Sequence, residues 1–341
     1  MKPSGQSFLP WTVVCVLAVA GVLAAMAAAI CTGSGARTIP LDEIWQSLTA
    51  YNPDDISHIV IVQIRMPRIV VGLLVGASLA VAGVLMQSMT QNPLASPSLM
   101  GLSAGGSLLL VLGLVFIPDY LTMAVAIALS FLGAGMGAGL VYLLTMLSPQ
   151  NKTPLHMALA GMIVSVLLGA LTQGIVHQLQ LSGDMLFFGF GGLGNTMWSE
   201  VAIVVPFVFI ALVAAMALAP QWTVLSLGND SAVGLGLNVQ WLYLAGSIIV
   251  LLLAGSAIAV AGPVALVGLM VPHVCRFLVG TDCRKVIPLA IVLGALLVVS
   301  ADTICRTLTA GRVPLGAVTG MIGGVAIVIL GRGKGSLGGS P

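Results

Sequence analysis

Residues 69–89 form an apolar run of 21 positions without a single charge. At a helical rise of about 1.5 Å per residue, such a run crosses an apolar layer of about 30 Å. Gly72, Gly76, Ala80 and Gly83 recur within it three or four residues apart. One face of the helix is therefore nearly flat, and a neighbouring helix can approach it closely. Arg65 and Arg68 bracket Pro67 at one mouth, and a polar loop with two prolines, Asn92-Pro93-Leu94-Ala95-Ser96-Pro97, stands at the other.

Nine further apolar runs are long enough to be spans. The ten expected spans are 10–31, 69–89, 98–118, 121–147, 155–179, 199–219, 241–261, 262–279, 286–307 and 314–331. Charged residues make up 6% of the chain, against about 25% in a soluble domain, too few to cover a water-facing surface. The fold class is thus an all-α membrane protein of about ten transmembrane helices. It reads as a single transmembrane domain over 1–341, with a first span at 10–31, a core at 65–331 and an internal loop at 220–240. The first run is longer than a signal peptide's apolar region and is kept as a span. The net charge of +2 points to no nucleic-acid partner, and the partner implied throughout is membrane lipid.

Ten spans place both termini on one side, and lysine and arginine choose the side. With the termini cytoplasmic, seven basic residues lie inside and five outside, a bias in the right direction. Segment 40–50 begins with proline, has Asp42 and Glu43 in its first turn, and predicts a short helix at the outer surface. Loop 180–198, rich in glycine and aromatics, falls outside, either as an interfacial belt or lining an entrance. The inner loop 220–240 predicts two short helices with a turn near Gly228-Asn229, suited to a cytoplasmic partner. Ala80-Val81-Ala82-Gly83 is echoed at Ala259-Val260-Ala261-Gly262, a match short enough to arise by chance.

Few polar groups interrupt the spans. Asp302 and Arg306 stand four apart in the favourable order for an ion pair, either as a structural pair or as a carboxylate presenting Arg306 at the outer surface. His273 and Arg276 are expected to tie helix ends to backbone carbonyls. His273, Cys275 and Cys283 fit no standard zinc spacing, and no fourth ligand is near them. The five scattered cysteines suit packing rather than a disulfide framework. The tail GRGKGS at 331–336 lacks the spacing of a phosphate loop and reads as a basic, flexible terminus, so no cofactor or nucleotide site is expected. Three function classes remain: a conduit powered by partner proteins, a secondary transporter with Asp302 as the coupling acid, and an intramembrane enzyme. The third lacks paired catalytic groups.

The motifs RMPR, GASLAVAGVLMQ, NPLASPSLMG, LGNDSAVGLGLNV, AGPVALVGLMVPHVCRFLVGTDCRKVIP, LGALLVVSADTICR and RVPLGAVTGMIGG follow one another as in a known family. In their order and spacing the chain resembles the permeases of bacterial ABC importers for iron–siderophores, haem and vitamin B12. The resemblance implies a type II ABC importer permease fold in the bacterial inner membrane and a pair of permease subunits. It also implies two cytoplasmic ATP-binding subunits and a periplasmic substrate-binding protein. By motif it assigns docking of the binding protein to Arg65, Arg68 and Arg306. It assigns contact with the ATPase to Gly228, Asn229, Asp230, Ser231, Ala232 and Gly236 within 225–239, and the inner gate to Asn92 and Leu94. Asn229-Asp230-Ser231 departs mildly from the more acidic sequence usual there. A ferric chelate is the expected cargo, with cobalamin or ion-coupled transport as the alternative.

Overall fold

The computed structural model describes residues 10–31, 40–98, 100–147, 154–179, 191–194, 196–309 and 313–335. Most of the expected outer loop 180–198 lies outside the described residues.

Every long element is a helix, because lipid offers no hydrogen-bond partner to the backbone and a helix pairs its own. In chain order the helices are α1 (Trp11–Cys31), α2 (Leu41–Thr49), α3 (Ile56–Ile59), α4 (Met66–Thr90), α5 (Leu102–Phe116), α6 (Met123–Leu147) and α7 (Pro154–Gln178). Then come α8 (Trp198–Ala217), α9 (Ala219–Leu225), α10 (Asn229–Gly234), α11 (Val239–Ala261), α12 (Val267–Val279), α13 (Cys283–Thr309) and α14 (Leu315–Gly335). Among the described residues, seven helices are long and apolar enough to cross a membrane, and three shorter apolar ones bring the set to ten.

The centre of the bundle is α4. Most of its residues are buried, whereas only Val14, Ala18 and Ala29 are buried on α1. The small-residue face of α4 explains this. A methyl group at Gly76 would overlap the Gly294 carbonyl on α13, and one at Gly83 would overlap the Gly268 carbonyl on α12. The same device joins α5 to α6 through Gly105 and Gly133. Between apolar helices in lipid the gain from such contact is dispersion and close backbone approach, because the solvent is as apolar as the side chains.

α4 is entered through a π turn at Val60–Arg65. Pro67 explains its place: proline has no amide hydrogen, and its ring collides with the carbonyl four residues back in a regular helix. Widening the preceding turn relieves that collision. Trp198 Nε1 donates to the Val62 carbonyl within the turn at 2.8 Å.

Two expected spans are shorter than their apolar runs. The run 98–118 yields α5 from Leu102, and 262–279 yields α12 from Val267. The residues before each helix are apolar but not helical, so hydropathy alone does not separate them from a span. Their backbone is tolerated at depth because it is enclosed by protein: Met100, Gly101, Gly262 and Val264 are all buried. Leu266, just before α12, takes a left-handed conformation at φ 61°. The echoed Ala-Val-Ala-Gly motifs do different work, since Gly83 is a contact inside α4 while Gly262 closes α11 at φ 62°. The tail also differs from expectation: residues 331–335 continue α14 as helix rather than hanging free. The expected surface helix at 40–50 is α2, which buries Ile44 and Ser47 and exposes Trp45 and Leu48.

Candidate functional site: two polar ends of one helix pair

α4 and α13 run side by side, and each end of this pair carries polar groups. At the first end, the Asp302 carboxylate joins two arginines. Arg68 Nη2 donates to Asp302 Oδ1 at 2.7 Å and Arg68 Nε to Oδ2 at 3.0 Å. Arg306 Nε, one helical turn from Asp302, donates to Oδ2 at 3.0 Å. Arg306 also reaches the Ala29 carbonyl at 3.4 Å, and Arg65 donates to the carbonyl of Ile30. The end of α1 is thereby held against the cluster. Three arginines against one carboxylate leave positive charge in excess.

The three arginines nominated from the sequence lie together, and of the two alternatives for Arg306 the structure shows the pair with Asp302. Arg65 and Arg306 are 8% and 5% exposed, and only the Arg68 side chain, at 21%, stands partly open. Arg306 does not emerge at the surface, because its position one turn after Asp302 turns it inward onto the carboxylate. A buried cation needs such a partner, since an unpaired charge in an apolar setting is costly.

At the other end, α9 and α10 are the two short helices expected in 220–240. Gly228 between them has φ 123° and Gly236 after them φ 80°, backbone conformations that favour glycine. Ala232 is buried, while Asn229, Asp230 and Ser231 are exposed. Leu227, Val233 and Leu235 also stand open. An exposed apolar and acidic ridge on a loop between spans is suited to a partner's cleft.

The Asn92–Pro97 loop packs beside this segment. Asn92 Oδ1 accepts from the Leu94 amide at 2.9 Å, forming a tight turn. That turn points Leu94 outward, 57% exposed. Gln91, left-handed at φ 49°, donates to Asn229 Oδ1 at 3.1 Å. Tyr243 Oη donates to the Met89 carbonyl at 2.7 Å. Thr223 of α9 accepts from the Cys283 amide at 2.9 Å and donates to Asp282 at 3.3 Å.

Arg276 donates to the side-chain oxygen of Gln87 on α4 rather than to a backbone carbonyl. His273 Nδ1 lies 3.1 Å from the Leu269 carbonyl, a turn back in its own helix. Sequence reasoning missed Gln87, Gln91, Thr223 and Tyr243. The available signal was polar residues at the ends of otherwise apolar helices. Among the described residues, no three His, Cys, Asp or Glu side chains converge as metal ligands would.

The sequence matches the FecCD transport family over residues 17–332. It is 40% identical over 290 residues to the iron(3+)-hydroxamate import system permease protein FhuB of Bacillus subtilis, covering 85% of this chain and 75% of that one. It is 37% identical over 278 residues to the Fe(3+) dicitrate transport system permease protein FecC of Escherichia coli, covering 80% and 82%. Against the hemin transport system permease protein HmuU of Yersinia pestis the identity is 31% over 297 residues, covering 85% and 87%. The fold matches that of a metal-chelate type ABC transporter solved in an inward-facing conformation, with a TM-score of 0.74 at 23% identity, over 95% of this chain and 99% of that one. With most of its length matched both in sequence and in helical architecture, the chain belongs to the FecCD transport family and is the permease subunit of an ABC importer, not its ATPase.

Proposed function

We infer that this chain forms, as one transmembrane domain, half of the conduit through which an iron(III) chelate or haem enters a bacterial cell. Both termini are cytoplasmic. A second permease subunit completes the pathway, and two ATP-binding subunits drive it from inside. A periplasmic binding protein delivers the cargo. The chain does no covalent chemistry.

The observation that carries this reading is the separation of two unlike polar ends on one helix pair. Arg68 opens α4 and Gln91 follows its last turn, about 35 Å apart at helical rise. The arginine end, with charge in excess, suits acidic groups on a delivery protein. Complementary charge there steers association and fixes register. The other end carries the exposed ridge 229–235, suited to an ATPase cleft, with Asn92 and Leu94 beside it at the inner gate. The names of the similar permeases support iron chelates and haem as the cargo class. Asp302 is poorly placed to be a coupling acid, because both of its oxygens are taken by arginine N–H groups.

Reconstitution tests the reading. Proteoliposomes holding the permease pair and its ATPases, with binding protein outside and ATP inside, should accumulate radiolabelled iron chelate only when ATP and binding protein are both present. Uptake by the isolated permease under an imposed proton gradient would overturn it.

A further inference from the structure

We propose that Gln91 and Tyr243 are positioning residues that fasten the ATPase-facing helix α10 to the end of α4, so that motion of α10 is delivered to the gate loop. This rests on the permease reading above and names a part of its machinery.

The geometry is a joint with a polar and an apolar half. In the polar half, Asn229, the first residue of α10, turns its side-chain oxygen toward its own chain. It accepts from Gln91 Nε2 at 3.1 Å and lies 3.2 Å from Tyr243 Oη. Tyr243 Oη donates its proton chiefly to the Met89 carbonyl at 2.7 Å and shares it, as the weaker branch, with Asn229 Oδ1 at 3.2 Å. The Met89 carbonyl is one of the last four of α4, which have no partner within the helix. The tyrosine therefore caps α4 while touching α10.

In the apolar half, a methyl group at Gly246 would lie 2.6 Å from the Met89 sulfur and 2.8 Å from the ring of Trp222 on α9. Trp222 is fully buried. The end of α4 is thus gripped between α9 and the start of α11, and Gln91 adds a directional tie to α10. Gln91 holds a left-handed backbone conformation that side-chain-bearing residues seldom adopt. The loop that carries Leu94 starts at this residue, so a displacement of α10 reaches the gate within one residue of backbone.

A residue that only contacted the ATPase would not need Gln91 or Tyr243. The test uses the complete complex with ATPases and binding protein in proteoliposomes, reading ATP hydrolysis and chelate uptake in the same preparation. Gln91→Met keeps the side-chain length without the amide, and Tyr243→Phe removes only the hydroxyl. Each is expected to keep nucleotide hydrolysis while uptake per ATP falls at least about fivefold, the lower end of typical coupling between sites. The double variant Gln91→Met/Asn229→Ala should be no worse than Asn229→Ala alone, because both changes remove one contact. Unchanged uptake per ATP in Q91M and Y243F overturns the proposal. Losses that simply multiply in the double variant overturn the Gln91–Asn229 tie. If a variant assembles poorly, the ratio is read on the assembled fraction isolated through the ATPase subunit. A wild-type complex with no ATP-driven uptake would overturn the permease reading itself, an outcome distinct from intact uptake with an unaffected ratio.

Discussion

Arg68 and Asp302, 234 positions apart in sequence, are joined by a 2.7 Å ion pair that fixes the start of α4 to α13. Asp302 holds Arg306 as well, so one carboxylate satisfies two guanidinium groups. Removing the shared partner strands both cations. Asp302→Ala should therefore destabilise the folded chain by about 3–5 kcal/mol, the usual cost of breaking a buried pair. Arg68→Gln should cost less, because Asp302 keeps Arg306 and the Arg68 side chain is partly open. Thermal unfolding in detergent at a fixed scan rate checks the ranking; equal midpoints for the two variants would contradict the shared-carboxylate account.

The second relationship is steric. Gly76 and Gly294 bring the backbones of α4 and α13 into contact, and a methyl group on either would overlap the other's carbonyl. Gly76→Ala should cost roughly 1–3 kcal/mol through forced separation of the helices. Gly139 on α6 has nothing within 4 Å of an added methyl group. There Gly139→Ala should be neutral or stabilising by about 0.5–1 kcal/mol from helix propensity alone. The two variants, compared by thermal aggregation in the same detergent, separate contact from propensity.

How much of this was legible in the sequence depends on the range of the cause. Apolar runs announced the ten apolar helices, and the Gly72–Gly83 spacing announced the face of α4 that others approach. Gly228 marked the turn between α9 and α10. The π turn before Pro67 had no signal beyond the proline itself. The short starts of α5 and α12 were hidden because a buried coil and a span are equally apolar. Continuation of α14 to Gly335 ran against three glycines in its last five residues. The arginine cluster was half legible: i,i+4 spacing gave the Asp302–Arg306 pair, but nothing local says that Arg68 completes it from another helix. Gln91 and Asn229 meet for the same non-local reason.

Topology follows from the same division into ends. Val233 and Leu235 are 62% and 68% exposed on one end, and Trp45 is 68% exposed on the other. In a permease otherwise freed of reactive thiols, Val233→Cys should react with an impermeant maleimide only in inside-out vesicles, and Trp45→Cys only in right-side-out cells or spheroplasts. Reaction of Val233→Cys from the periplasmic side would invert the orientation proposed for the whole chain.

The arginine cluster makes unequal claims on a delivery protein. Arg65 faces the Ile30 carbonyl and Arg306 is held by Asp302 and Ala29, whereas Arg68 combines an ion pair with a partly open side chain. In the docking proposed above, an incoming carboxylate would meet Arg68 first, and the positive excess of the cluster would attract it from a distance that shrinks with salt. Arg68→Gln should slow association of the binding protein and flatten its salt dependence, with affinity falling by about tenfold, on the order of 1.4 kcal/mol. Arg65→Gln should act chiefly on stability, since its lost partner is a backbone carbonyl of α1. Binding kinetics of the cognate binding protein on nanodisc-held complex, measured at two ionic strengths, decide the matter. An association rate that responds to Arg65→Gln but not to Arg68→Gln would mean that burial in the isolated chain is undone when the partner docks.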